Sequence, residues 1–164
     1  MARVEHLLGY LNENNVHYQL LSHVAAFTAH QVALVAHVPD SELAKTLLAK
    51  ADGQYWLVVL RADQRVSTSL LKKALEAKHV ALADEEALEG LFPDCELGAM
   101  PPFGKPYGLP VIVEHSLTED DEIVFNACTH KGSIRMKYED FDRLANPIVA
   151  EFAEPPQVAE ERFR

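Results

Sequence analysis

"ELAKTLLAKADGQYWLVVLRAD", residues 42–63, holds two apolar runs on either side of Asp52-Gly53. That dipeptide is a strong turn signal, so the stretch predicts two strands joined by a hairpin. Lys45 falls inside the first run. A strand turns alternate side chains to one face, so Lys45 shares a face with Leu43 and Leu47. Its ammonium either points toward a partly apolar site or snorkels from a sheet edge to water.

Outward from the hairpin the chain alternates helices and strands without regular βαβ order. Val4, Leu7, Leu8 and Leu11 recur at helical spacing and predict an opening helix that ends near Asn14-Asn15. "VHYQLLSH" reads as a strand, and Thr28 caps a helix through "AHQVALVAHV" that Pro39 closes. After the hairpin, Ser67 or Thr68 starts a helix across "SLLKKALEA", and Asp84 caps another that Pro93 stops. "CELGAM", "LPVIVEH", "DEIVFNACT" and "SIRMKY" read as strands, followed by a last short helix from Tyr138. Interleaved helices and hairpin-linked strands favour an α+β fold with a curved mixed sheet. The boundaries are one domain over residues 1–147 and a loosely held C-terminal tail over residues 148–164, where periodicity fades and two prolines adjoin.

Composition narrows the function. The 164 residues suit one core, and no run reaches eighteen apolar residues. The charged amino terminus carries no readable export signal, so the chain is expected in the cytoplasm, off the membrane, with Cys95 and Cys128 as free thiols. A net charge of −10 argues against coating DNA or any long nucleic acid, though not against a small local contact. Arg61, Arg65, Lys72, Lys73, Lys78 and His79 fall close together, as one basic face or simply as solubilising charge.

Few residues present chemistry. His23, His30 and His37 stand seven apart, but without an acidic or cysteine ligand at a metal-binding interval they predict no metal site. No phosphate-binding, dinucleotide or nucleophile-elbow motif occurs, and no cofactor is expected. In "NACTH" a strand would place Cys128 and His130 on one face, as a nucleophilic pair or as ordinary core filler. "GAMPPFGKPYGLP", residues 98–110, packs four prolines and three glycines into thirteen positions, which builds a loop of fixed shape. Such a loop is a stiff connector between strands or a holder of something.

"AKTLL" with Lys45, "GAMPPFG" with Gly98 and Pro102, and "FNACTHKGSIRM" running into "YEDFDRL" together resemble the family of YbaK and the prolyl-tRNA synthetase-associated editing domains. The resemblance spans roughly residues 1 to 147. It implies a mostly antiparallel, barrel-like sheet flanked by helices, and a freestanding hydrolase that removes a wrongly attached small amino acid (Ala, Ser, Thr or Cys) from tRNA. It assigns catalysis to Lys45, Gly98 and Pro102, with the loop's amides facing the ester oxygen and Lys45 neutralising a phosphate or orienting the ribose. Thr28, Thr46, Met100, Cys128 and His130 would line the pocket; many relatives have glycine in place of Cys128. Lys72, Lys73 and Lys78 would touch the acceptor stem. The partner is the aminoacyl-tRNA acceptor end, delivered by a synthetase or an elongation factor. A noncatalytic module that binds tRNA ends or a synthetase is the alternative.

Overall fold

The computed structural model describes residues 2–155. Helix α1 (Ala2–Glu13) leads into β1 (Tyr18–Ser22), and α2 (Ala29–Ala36) precedes the hairpin of β2 (Ala44–Ala51) and β3 (Gln54–Arg61). Helix α3 (Thr68–Ala74), strand β4 (Val80–Leu82), helix α4 (Glu85–Leu91) and strand β5 (Val111–Glu114) follow. Strands β6 (Glu122–Asn126) and β7 (Gly132–Lys137), helix α5 (Tyr138–Ala145) and strand β8 (Ile148–Ala150) complete the order.

Local chemistry accounts for the turns and ends. Asp52 and Gly53 both take positive φ, 47° and 86°, as the hairpin turn demands. The Asp52 carboxylate accepts the Lys78 and His79 amides at 2.9–3.1 Å, which pulls its pKa down and steers the chain into β4 alongside β2. Thr28 caps α2 by accepting the Gln31 N–H, while the Gln31 side chain reaches back to the Thr28 amide. This reciprocal capping box fixes where α2 begins.

The strands form two sheets among the described residues, not one barrel-like sheet. One has the order β1-β7-β6, all antiparallel; the other runs β4-β2-β3-β5-β8, antiparallel through the hairpin and parallel across β3/β5 and β5/β8. A parallel bridge between Leu43 and Val124 joins them, with the Val124 N–H donating to Glu42 O at 2.9 Å. The ladder goes no further than this one bridge, and farther along the strand β2 takes β4 as a neighbour in addition to β3. Between the sheets lies the main core, where Phe103 packs edge-on to Phe125 at 5.5 Å and tilts against Phe141 at 5.7 Å. A smaller apolar cluster packs α2 against Leu43 and Val124, and another packs α3 against the outer face of the hairpin.

Two expectations change, and one strand goes unread in the sequence. "CELGAM" is no strand: Cys95 and Ala99 donate to Phe92 O and Glu96 O in successive turns, and Gly98 has φ +84°. β4, only three residues long and largely exposed, has too little pattern to read. The chain after Pro147 is held rather than loose as far as Glu154. β8 pairs with β5, Phe152 is fully buried, and the Ser67 and Glu154 amides bond across to Phe152 O and Arg65 O at 2.7 Å. The rest of the expected tail lies outside the described residues.

The buried carboxylate of Glu114 makes this anchorage possible. It accepts the Phe152 N–H at 2.7 Å and the Ala153 N–H at 2.9 Å, in addition to the Ser116 amide. Hydrogen bonds to a buried charge are worth about 1.5–3 kcal/mol each. Glu114→Ala should therefore lower the thermal midpoint by about 5–10 °C, read by circular dichroism, with Glu114→Gln falling between it and the parent. A melt unchanged in Glu114→Ala would remove this carboxylate from the account.

Candidate functional site

Loop 95–108 is shaped by backbone geometry. At Gly104 a β-carbon would overlap the Leu109 carbonyl oxygen, because Gly104 O accepts both the Tyr107 and Leu109 amides at 2.9 Å and closes the turn on itself. Gly98 is exposed and in the left-handed region, and a β-carbon there would have only the His130 ring as a neighbour, at 3.9 Å. Pro101 and Pro102 are buried and have no N–H, and the Ala99 N–H is committed to Glu96 O. The amides that residues 98–102 can offer a ligand are those of Gly98 and Met100. The Met100 side chain belongs to the main core.

A second turn, 127–131, closes on this loop. β6 ends at Asn126, so Cys128 and His130 do not sit in a strand and the expected same-face pair is lost. The Ala127 N–H donates to Gly132 O, and Cys128 is left at φ +65°, a conformation that suits glycine and costs an L side chain about 1–2 kcal/mol. Cys128 O accepts the Glu96 N–H at 2.9 Å. The Glu96 carboxylate in turn accepts the Thr129 hydroxyl at 2.8 Å and the His130 N–H at 2.7 Å. Cys95 and Cys128 are joined by a disulfide, contrary to the expected free thiols: the two turns bring the sulfurs together across 33 residues of sequence. Neither sulfur is then a nucleophile. Asp94, Cys95 and Cys128 place their ligating atoms within 4.8 Å, but disulfide sulfurs are not thiolate ligands.

His130 is fixed from two sides. Its Nε2 lies 2.8 Å from Leu97 O, and since a carbonyl only accepts, Nε2 carries the hydrogen. In the neutral ring Nδ1 is then a bare lone pair, buried and without a partner. On the other side the Ala26 N–H donates to His130 O at 2.9 Å, and the Phe27 ring rests 4.7 Å from the imidazole. Thr28 stands next in the chain, but its hydroxyl is occupied as the α2 cap. His23 binds Ser133 Oγ at 2.9 Å through Nε2, and His30 pairs with Asp40 at the surface, so the seven-residue histidine series does not converge.

Lys45 approaches from the hairpin. The Leu43–Val124 bridge sets the start of β2 beside β6, with Lys45 two residues past it on one strand and Asn126, the residue before the 127–131 turn, two residues past it on the other. The Asn126 side-chain oxygen is buried there without a partner. Lys45 Nζ donates to Ala62 O at 3.4 Å. Burial lowers the lysine's pKa, an effect that nearby Asp63 opposes and Arg65 reinforces. Thr46, the next residue in the strand, faces the opposite side, and its hydroxyl is buried with no hydrogen-bond partner. Lys45 and Thr46 therefore cannot line one wall of a pocket. Of the expected basic face, Arg61 is withdrawn into an ion pair with Asp120 at 3.1 Å. Lys72, Lys73 and Lys78 are exposed at the Asp52 end of the hairpin, about 23 Å along β2 from Lys45 at roughly 3.3 Å per residue.

Sequence reading passed over Glu96, Phe27 and Asn126. Nothing marks Glu96 among so many acids, because its role depends on a turn 33 residues away. Phe27 did carry a signal. A large apolar residue just before an N-cap ordinarily staples onto the fourth helical residue, here Val32. Val32 is buried, yet Phe27 remains 71% exposed against His130.

A family model described as aminoacyl-tRNA editing domain matches residues 23–144. The chain is 28% identical over 153 residues to a multifunctional Ser/Thr-tRNA deacylase, ProXp-y, of Escherichia coli strain K12, covering 90% of this chain and 91% of that one. It is 31% identical over 90 residues to the proline–tRNA ligase of Lysinibacillus sphaericus, covering 55% of this chain but 16% of the ligase. A crystal structure of a candidate trans-editing enzyme for prolyl tRNA synthetase superposes with a TM-score of 0.82, at 17% identity over 94% of this chain and 99% of that one. At that identity the likeness shows the fold alone.

The two loop glycines should separate by experiment. Gly98→Ala meets no close atom and should cost only the left-handed backbone strain, about 1–2 kcal/mol. Gly104→Ala drives a methyl into the Leu109 carbonyl and should destabilise more, since the neighbour is backbone and cannot swing away. Denaturant unfolding of both variants checks the order, and equal losses would contradict the close approach at Gly104.

Proposed function

Because the chain belongs to the aminoacyl-tRNA editing domain family, we propose that it acts in trans as an aminoacyl-tRNA deacylase. It hydrolyses the ester that joins a small amino acid to the terminal ribose of a mischarged tRNA. Water adds to the ester carbonyl, the carbon–oxygen bond to the ribose breaks, and that ribose oxygen leaves as a hydroxyl. The products are a free amino acid and uncharged tRNA. One junction carries this proposal: Gly98 beside the His130 ring, with the α2 start and the end of β6 closing around them.

Each group has a task that its surroundings support. The Gly98 and Met100 amides stand in a loop that proline and the Gly104 turn have already stiffened, so they can receive the oxyanion without reorganising. Preorganised donors of this kind are worth about 10²–10³ in rate apiece. Pro102 holds the loop's shape. Lys45 supplies a positive charge at a half-dry position, suited to a terminal phosphate or the ribose. The bare His130 Nδ1 and the unpartnered Asn126 oxygen are buried acceptors that an enclosed water could satisfy. No side-chain nucleophile is required, which agrees with both thiols being tied in a disulfide.

Pocket size sets the choice of amino acid. A cavity rejects large side chains by volume and separates near-isosteres poorly. The Escherichia coli relative is named for seryl and threonyl substrates, so Ser- and Thr-charged tRNAs head the test panel, followed by Ala- and Cys-charged tRNAs. The exposed Lys72, Lys73 and Lys78 would meet the acceptor stem away from the reacting end. With few phosphate contacts on an acidic chain, binding should be weak and salt-sensitive, and delivery by a synthetase or elongation factor would compensate.

Deacylation of the mischarged panel tests the proposal. The parent should release at least one small amino acid, Lys45→Ala should lose about 100-fold or more with little change in its melt, and Cys128→Ser should still turn over. Binding of charged tRNA without any release would instead favour a noncatalytic module. Abolition by Cys128→Ser with Cys95→Ser still active would restore the Cys128 thiol as nucleophile, because both variants break the disulfide and only one removes that thiol.

A further inference from the structure

Phe27 is the largest exposed side chain at the junction, and it is mounted rather than loose. Its N–H donates to Gln31 Oε1 at 3.0 Å, and the same oxygen receives the Thr28 N–H at 3.3 Å. One residue earlier, the Ala26 N–H is bonded to His130 O. The ring is 71% exposed yet backed on one face by the His130 imidazole, 4.7 Å away and tilted by 41°. A staple onto Val32 would hide the ring, and at this exposure it is not hidden. A rigid aromatic ring with one supported face and one open face is a stacking surface.

We propose that Phe27 is the platform on which the terminal nucleobase of the aminoacyl-tRNA stacks, an inference that rests on the deacylase reading above. The order of groups fits the chemistry of the substrate. In an aminoacyl nucleoside the base and the ester leave different carbons of one ribose. A base on Phe27 therefore lays the ribose over His130, and the acyl carbonyl reaches the Gly98–Met100 amides, with Gly98 already against the imidazole edge. Every base has a π-face, so the platform would tolerate any base and would fix position rather than read identity. Phe27 is thus a positioning residue, and it aligns the ester without touching it.

The test uses the full chain, an RNA minihelix ending in adenosine, and the same minihelix with an abasic 3′ nucleotide. Phe27→Ala and Phe27→Leu should raise KM by about 5- to 100-fold with a smaller effect on kcat, while Phe27→Trp restores it. Leu keeps the apolar bulk without the ring, so the Leu/Trp contrast separates stacking from simple burial. In Phe27→Trp the uncharged adenosine minihelix should quench the new fluorescence relative to the parent protein, and the abasic one should not. That readout involves no hydrolysis. Quenching without any deacylation would sustain the platform and remove the deacylase reading. Equal KM in Phe27→Leu and the parent, or equal binding of adenosine and abasic ends, would overturn the platform.

Discussion

Glu96 is the residue through which two distant turns become one surface. Its amide donates to Cys128 O, and its carboxylate holds both the Thr129 hydroxyl and the His130 N–H. Each bond to the charged group is worth about 1.5–3 kcal/mol. Without them the 127–131 turn would lose its polar clamp on the Gly98 loop, and the His130 ring would lose support for the geometry that brings Nε2 to Leu97 O. The Cys95–Cys128 disulfide ties the same two turns covalently, one residue from Glu96. Everything proposed for the site presupposes this joint, because neither the loop amides nor the imidazole can be aimed from one turn alone.

The joint also explains how an acidic protein can be matched to a polyanion. The junction lies where the two sheets meet, and the exposed lysines at the hairpin tip sit roughly 23 Å along β2 from Lys45. A substrate engaging both would put its reacting end at the sheet junction and its backbone near the tip, leaving most of the molecule free. Affinity then has to come from a few well-placed groups, and alignment of the ester becomes the chief task of the protein. In the proposed reading a half-buried lysine, a stiff loop and a mounted aromatic ring would all serve alignment.

Elements governed by local chemistry were legible in the sequence. Asp52-Gly53 specified the hairpin, Thr28 the start of α2, Ser67 and Asp84 capped the helices assigned to them, and the apolar stretches within "LPVIVEH", "DEIVFNACT" and "SIRMKY" marked β5, β6 and β7. Elements that depend on distant partners were not. β8 and buried Phe152 follow from the Glu114 carboxylate across the sheet, and "CELGAM" has apolar content but folds as turns because Cys128 O and the 127–131 segment capture its backbone. Lys45, Gly98 and Pro102 could be nominated only by family resemblance; local pattern alone left Lys45 open between a site and a solvated edge. Cys128 shows the same division: its φ of +65° is one that suits glycine, yet no rule of spacing reveals that angle or the pairing with Cys95.

Backbone amide mapping by NMR with an amide-linked 3′-aminoacyl adenosine, which resembles the substrate but resists hydrolysis, is the most direct test of the junction. The expected result is that the Gly98 and Met100 amide signals and the His130 ring resonances shift together on titration, with Lys45 broadened or displaced. Shifts confined to the Lys72–His79 region, with Gly98 and His130 unmoved, would contradict the account.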